Sequence, residues 1–400
     1  MLSEQQIFLI ARWDSVASFS LLAVYEDISI LFSLMRILHV EASKGWGGQE
    51  IRILQEAVSL RDKGYVIIFG IMKRGELARR ARELGFVVYE LNFSYRAWIA
   101  TLFRLLLMFR KYQIEVINTH SSLDAWIGGI AARLGGVQIV RTRHLSTPVK
   151  YGWNSRTLYR TLADFVVTTC EAIIEPLSRQ SGQSMQYFRS IATGVNPEKM
   201  NVSADQIFAF RKENTMEGFF LVGTACFMRS WKGIEEFLQA ASLLREAKKV
   251  KWVIIGGGHS EKYRMMARQM NLEEIVHFTG HLENPFPAMA ALDIFALLST
   301  KNEGVSQAIL QAAFLKKALI ATPVGGLKEV CLDQKTGLLV SAFCPKEVAD
   351  AVIYLQKNPS LREQFGNRAH AHVMERFTFQ HTIDGMEEVY RNLKQHGESR

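Results

Sequence analysis

From Met35 onward, short apolar runs alternate with longer stretches in which apolar side chains recur every three or four positions. Arg36–Val40, Tyr65–Ile71, Val87–Leu91, Val116–Thr119, Gln138–Arg141 and Phe165–Thr168 have the length and composition of buried strands. Segments of helical period, such as Gln49–Lys63 and Ser122–Leu134, lie between them. Alternation of this kind predicts a parallel sheet covered by helices on both faces. After a less regular stretch from Asn196 to Gly218 the rhythm restarts, with strands expected at Phe219–Ala225, Lys251–Ile255, Ile275–Phe278, Ile294–Leu298 and Ala318–Ala321. The expectation is an α/β protein of two Rossmann-like domains, residues 35–205 and 206–376, facing one another. Such sheets bind ligands beyond the carboxyl ends of their strands, which puts the chemistry in the cleft between the domains. In residues 1–34, Asp14, Glu26 and Asp27 interrupt the apolar stretches and no basic region opens the chain. They read as an extension upstream of the first domain.

Several strand ends carry residues with chemical potential. Gly45-Trp46-Gly47-Gly48 follows the first strand and precedes a helix, where bare backbone N–H groups meet a phosphate or hydroxyl; a tight turn alone would look the same. Lys232-Gly233, with Arg229 nearby, follows the first strand of the second domain, where an ammonium group would neutralise a diphosphate. Glu303-Gly304-Val305-Ser306 precedes a helix on which Gln311 lies, with Ser306 as the expected N-cap. Glu303 would then accept hydrogen bonds from sugar hydroxyls and Gln311 would reach ribose hydroxyls; a capped helix beside an incidental acid is the bland alternative. His120 and His144 each close an apolar run and are expected at strand ends facing the cleft. His370, His372 and His381 read as surface or packing residues.

A length of 400 residues suits two domains, and 48% apolar with 22% charged residues suits a globular enzyme. Cys170, Cys226, Cys331 and Cys344 form no C-x-x-C pair and read as reduced thiols. The formal charge of +9 is concentrated between Arg96 and Arg160, where ten basic residues face two acidic ones. One face of the first domain should therefore attract a phosphorylated acceptor or an anionic membrane surface; nucleic acid is not expected, because no recognised binding module occurs. Tyr95–Lys111 is apolar with spaced arginines, which fits an interfacial helix and equally a helix packed on the sheet. No Asp-x-Asp motif occurs, so no metal or other cofactor is expected.

Taken together, GWGGQE after the first strand, INTH at His120, WKG at Lys232, IIGGG at Gly256–Gly258, FTGH at His281, EGVSQAILQ from Glu303, TPVGGLKEV and TGLLV resemble the family-4 retaining glycosyltransferases of the GT-B fold. The resemblance runs from about Met35 to the end. It implies a nucleotide-sugar donor held by Arg229, Lys232, Gly256, His281, Glu303, Gly304, Val305, Ser306 and Gln311. It places an acceptor and phosphate loop at Gly47, Gly48 and His144, and the catalytic roles at Glu303, Lys232 and His120. It further implies metal-independent transfer with retention to a glycan or lipid-linked acceptor, in cell-envelope polysaccharide or lipopolysaccharide synthesis. The setting would be cytoplasmic, peripheral on the inner face of the inner membrane. Residues 377–400 resemble a terminal helix that crosses back to the first domain, with hinges near 205 and 376. Two positions depart from the family pattern: Gln311 stands where a second glutamate is usual, and Phe227 where an arginine is frequent. A nucleotide-sugar 2-epimerase and a non-catalytic sugar-nucleotide-binding protein remain alternatives.

Overall fold

The computed structural model describes residues 35–397 apart from 145, 148 and 248, so the expectation for residues 1–34 lies outside the described residues. Strands β1 (Arg36–Glu41), β2 (Val66–Met72), β3 (Val87–Leu91), β4 (Val116–Thr119), β5 (Gln138–Arg143), β6 (Phe165–Thr168) and β7 (Phe188–Ser190) form one sheet, ordered 3-2-1-4-5-6-7. Strands β8 (Phe220–Ala225), β9 (Val250–Ile255), β10 (Val276–Gly280), β11 (Ile294–Leu297), β12 (Ala318–Ala321) and β13 (Gly337–Leu339) form the second, ordered 10-9-8-11-12-13. Every pairing is parallel. Both sheets are doubly wound, and the strand order reverses between β1 and β4 in one and between β8 and β11 in the other.

The continuous apolar runs are explained by burial on both faces. Along β1, Ile37 packs under the helix Gly48–Asp62, while Leu38 and Val40 pack under the helices on the opposite face. In the second sheet Phe295 and Leu297 join one core cluster, and Ile294 and Ala296 the other.

Three elements were not visible in the hydrophobic pattern. Strands β7 and β13 are three residues long and lie at sheet edges, too short to show a period. The stretch from Asn196 to Gly218, expected to be irregular, contains the helix Ala204–Glu213. Reciprocal bonds start it: the Ser203 hydroxyl accepts from Gln206 N (3.2 Å) and the Gln206 side chain from Ser203 N (2.9 Å). None of its residues is fully buried, so it carries little apolar stripe to detect.

The halves are joined by two crossings that lie side by side. Val195 and Thr378 pair as a parallel bridge; Val195 N donates to Phe377 O (2.8 Å) and Phe379 N to Val195 O (2.7 Å). A Cβ on Gly194 would fall 2.0 Å from Thr378 O, so only glycine lets the crossings approach. The helix Phe379–Gly397 then returns to the first half, where Ile383, Met386, Val389 and Tyr390 complete its core. Beneath the crossing a buried polar network ties five segments together. Arg52 Nη1 donates to Ile191 O (2.7 Å) and Thr193 Oγ1 (3.3 Å), and its Nε lies 3.9 Å from Glu56. Tyr390 donates to Glu56 (3.2 Å) and accepts from Asn118 Nδ2 (2.8 Å), whose oxygen accepts from Thr142 Oγ1 (2.9 Å). Burial pushes the Glu56 carboxyl up, against the opposing pull of Arg52 and Tyr390.

The helix Trp98–Tyr112, entered through a turn at Tyr95–Ala97, is two-faced. It buries Thr101, Leu105, Met108 and Phe109 in the first half, yet Tyr95, Ile99, Phe103 and Leu107, spaced four apart, are exposed. Arg96, Arg104, Arg110 and Lys111 are exposed around that stripe. Among the described residues no helix is long and apolar enough to cross a membrane.

Candidate active site

Gly45–Gly48, His120, Lys232 and Glu303 follow β1, β4, β8 and β11, the strands that flank the two switch points, whereas His144, Gly256 and His281 follow β5, β9 and β10. In the second half, Lys232 Nζ donates to Glu303 Oε1 at 2.5 Å, and the Ser299 hydroxyl donates to the same oxygen at 2.7 Å. Glu303 is 5% exposed. The two loops are laced by Thr300 N to Trp231 O (2.8 Å), and Thr322 Oγ1 donates to Ser299 O (2.6 Å). Glycines make this geometry possible. Gly233, at φ +69°, lies where a Cβ would meet Leu298 O at 2.0 Å; Gly325, at φ +56°, would meet Glu303 O at 1.8 Å. Gly256, at φ +125°, would put a Cβ 2.2 Å from Cys226 O and so lets the β9 loop close on the Lys232 loop.

Arg229 does not join the pair. It is exposed, with its guanidinium 5.3 Å from the ring centres of both Phe227 and Trp231, an arrangement in which the aromatic faces hold the cation at the mouth of the loop. Exposed His281 sits beside Gly257. Ser306 occupies the N-cap position expected from its identity, before the helix Gln307–Phe314, but its side chain makes no capping bond. Gly304 and Val305 instead reach the first half: Val305 N donates to Thr169 O (3.1 Å), and a Cβ on Gly304 would lie 2.5 Å from Thr169 Oγ1. A second contact across the halves runs from Glu171 N to Glu329 Oε1 (2.8 Å), and burial pushes the Glu329 carboxyl up to about 7.

Gln311 and Gly48 line one cavity of about 690 Å³ between the halves, floored by Thr193 to Asn196. The Lys232–Glu303 pair is not among its walls. Gly47 N donates to Glu50 Oε2 (2.9 Å), which fixes the loop before the helix Gly48–Asp62.

His120 and His144 meet, and a third histidine joins them. His39 Nδ1 lies 3.0 Å from His120 Nε2, and His120 Nδ1 lies 3.0 Å from His144 Nε2. The His39 and His120 rings are stacked at 5.2 Å and 4°. Burial lowers the His39 imidazole to about 3 and takes His120 and His144 well below 6.5; for the latter two the charges of Arg52 and Arg141 act in the same direction. All three rings are therefore neutral at neutral pH. The folded value for His39 lies below the unfolded 6.5, so its contribution to stability is complete above that pH and is lost as pH falls toward 3, at about 1.4 kcal/mol per unit. Unfolding free energies of His39→Leu and wild type, measured from pH 6.5 down to 4, are expected to shift in favour of the variant at that slope. A difference constant with pH would contradict the assignment.

His39, Ser299 and Thr169 were missed by sequence reasoning. His39 stands inside an apolar strand run, and only the register of β1 on β4, which pairs His39 with Asn118, reveals its neighbour.

Two doubly wound domains facing a cleft, with a lysine–glutamate pair held at one switch point, define the GT-B class of glycosyltransferases. The description "Glycosyltransferase Family 4" matches residues 46–199 and "Glycosyl transferases group 1" matches residues 219–358. The chain belongs to the family-4 glycosyltransferases. Among similar proteins are the alpha-D-kanosaminyltransferase of Streptomyces kanamyceticus, 28% identical over 40% of this chain and 43% of that protein, and the capsular polysaccharide biosynthesis glycosyltransferase CapM of Staphylococcus aureus, 22% identical over 76% and 83%. An uncharacterized glycosyltransferase of Methanocaldococcus jannaschii is 29% identical over 41% of this chain. The alignments span less than half the length of the Streptomyces and Methanocaldococcus relatives, 43% of each. The fold is shared with HepE of Anabaena in complex with UDP and glucose (TM-score 0.77, 19% identity, 90% of this chain and 100% of that one) and with a glycosyltransferase of Rickettsia africae (0.83, 18%, 90% and 98%).

Proposed function

We propose that the protein transfers a hexosyl-type sugar from a nucleoside-diphosphate donor, held mainly by the second half, to a glycan or lipid-linked acceptor held by the first. Transfer proceeds with retention of configuration, in cell-envelope polysaccharide or lipopolysaccharide synthesis. The observation that carries this reading is the Lys232–Glu303 pair at the switch point of the second sheet. The two charges satisfy each other. A diphosphate entering the cleft competes for Lys232, which releases Glu303 to accept hydrogen bonds from sugar hydroxyls. As the bond between the anomeric carbon and the phosphate oxygen breaks, its electron pair leaves with the diphosphate, and Lys232 meets the charge that develops there. The N–H groups that open the helix Gln307–Phe314 add favourable potential. The acceptor oxygen bonds to the anomeric carbon on the face just vacated, and its proton passes to the departing phosphate oxygen. No metal enters this scheme. The capsular polysaccharide relative CapM supports the acceptor class, and HepE, solved in complex with UDP and glucose, supports a nucleotide-sugar donor.

Calorimetric titration with UDP-, GDP- and ADP-sugars is expected to give selective binding that Glu303→Ala weakens, and proton NMR of the product is expected to show the anomer of the donor. No binding by any nucleotide sugar, or an inverted product, would contradict the reading.

The exposed stripe of Tyr95, Ile99, Phe103 and Leu107, ringed by cations, supports docking on an anionic leaflet, placed on the cytoplasmic face of the inner membrane. Each basic residue near such a surface contributes about 1 kcal/mol. Co-sedimentation with phosphatidylglycerol-containing vesicles is expected to fall on Arg104→Glu and on Phe103→Ser. Equal binding to neutral phosphatidylcholine vesicles would remove the electrostatic part.

A further inference from the structure

The histidines form a staircase on one face of the first sheet. His39 on β1 is level with Asn118 of β4, and His120 stands two residues beyond Asn118. Asn118 is level with Val140 of β5, so Thr142 is level with His120, and His144 stands two residues beyond Thr142. Side chains two residues apart share a sheet face. Each imidazole is thus one strand over and one pleat nearer the carboxyl edge than the last. His39 is wholly buried beside Phe69, His120 is 4% exposed and His144 is half-buried. The backbone oxygen of His144 lies 3.5 Å from Thr169 Oγ1, and Thr169 is the residue that meets Gly304 and Val305. The staircase therefore climbs from the core to the edge where the halves touch.

We infer that His39 is a positioning residue for the transfer reaction, the inner end of a three-imidazole relay that fixes the ring orientation and tautomer of His120 and, through it, of His144; this rests on the proposed transferase reading. Each of the two N···N contacts holds one proton, so the choice at His39 propagates outward. His39 Nε2 is buried without a partner. A buried N–H left unpaired is the less tolerated alternative, which leaves a lone pair there and puts the proton on His39 Nδ1, donating to His120 Nε2. His120 then carries its proton on Nδ1 and donates to His144 Nε2, and His144 presents an Nδ1–H. The relay thus offers the cleft edge a neutral donor, suited to a hydroxyl or phosphate oxygen. The charged groups bearing on these rings are Arg52 from the helix Gly48–Asp62 and Arg141 from β5, both of which disfavour a protonated relay.

The test compares wild type, His39→Leu and His39→Asn, with imidazole nitrogens observed by 15N NMR and transfer kinetics measured on the same samples. Asparagine places an amide nitrogen where His39 has Nδ1 and can still donate; leucine cannot. In wild type the His120 and His144 shifts are expected to report single neutral tautomers, with Nδ1 protonated. His39→Leu is expected to mix those tautomers and to lower kcat by roughly 10- to 100-fold, as misplacement of a reacting-site group does, with donor KM little changed. His39→Asn is expected to restore both. Unmoved His120 and His144 shifts in a folded His39→Leu, or moved shifts with unchanged kcat, would each overturn the inference. Wild-type protein that turns over no nucleotide sugar would instead count against the transferase reading, while the shifts would still report whether the relay exists.

Discussion

Lys232→Ala is expected to lower kcat by roughly 10²- to 10³-fold, the cost of removing one preorganised group that faces charge developing in a transition state. The structure makes the loss worse than that of a solvated lysine. Lys232 is only 18% exposed along its side chain and is the sole cation paired with Glu303 among the described residues. Its removal leaves a 5% exposed carboxylate with Ser299 as its remaining side-chain donor, so Glu303 loses its orientation together with its counter-charge. Donor affinity should fall as well, but by less than kcat, because the diphosphate charge grows as the bond breaks. Arg229 is not placed to compensate, since its guanidinium rests between two aromatic rings. Steady-state kinetics with the donor found by calorimetry checks this, and a variant with wild-type kcat would show that the lysine is structural only.

Arg52→Ala is expected to destabilise the protein by about 3–5 kcal/mol, the penalty for leaving a fully buried partner charge uncompensated. Three kinds of contact are lost at once: the ion pair to Glu56, the bonds to Ile191 O and Thr193 that hold the outgoing crossing, and packing against Met386 of the returning helix. Urea denaturation measures the loss. The double variant Arg52→Met with Glu56→Leu should recover much of it, because an apolar pair needs no counter-charge. If the single variant unfolds at the wild-type midpoint, the network contributes nothing that packing alone does not.

Most of the architecture was legible because buried parallel strands announce themselves as apolar runs. Eleven of the thirteen strands coincide with a run or nearly so, and the two that do not, β7 and β13, are short edge strands. Loop positions were legible where one residue type at one strand end suffices: Lys232 and Glu303, singled out after separate strands, meet in the structure. Neighbours that depend on register were not legible. Nothing in RILHVE states that His39 will stand one pleat below His120, and nothing near Thr169 announces that a glycine of the other half will press on it. Ser306 holds the N-cap position expected from its identity, although its side chain makes no capping bond.

The paired crossings at Gly194–Val195 and Phe377–Phe379 make the chain modular. Residues 196–376 leave and re-enter the first half through a single doorway, so the second half is topologically a cargo inserted into an otherwise closed domain, whose last helix is supplied from beyond the insertion. Two recombination junctions a few ångströms apart in space would replace that cargo whole, exchanging one second half for another while the first half keeps its own core.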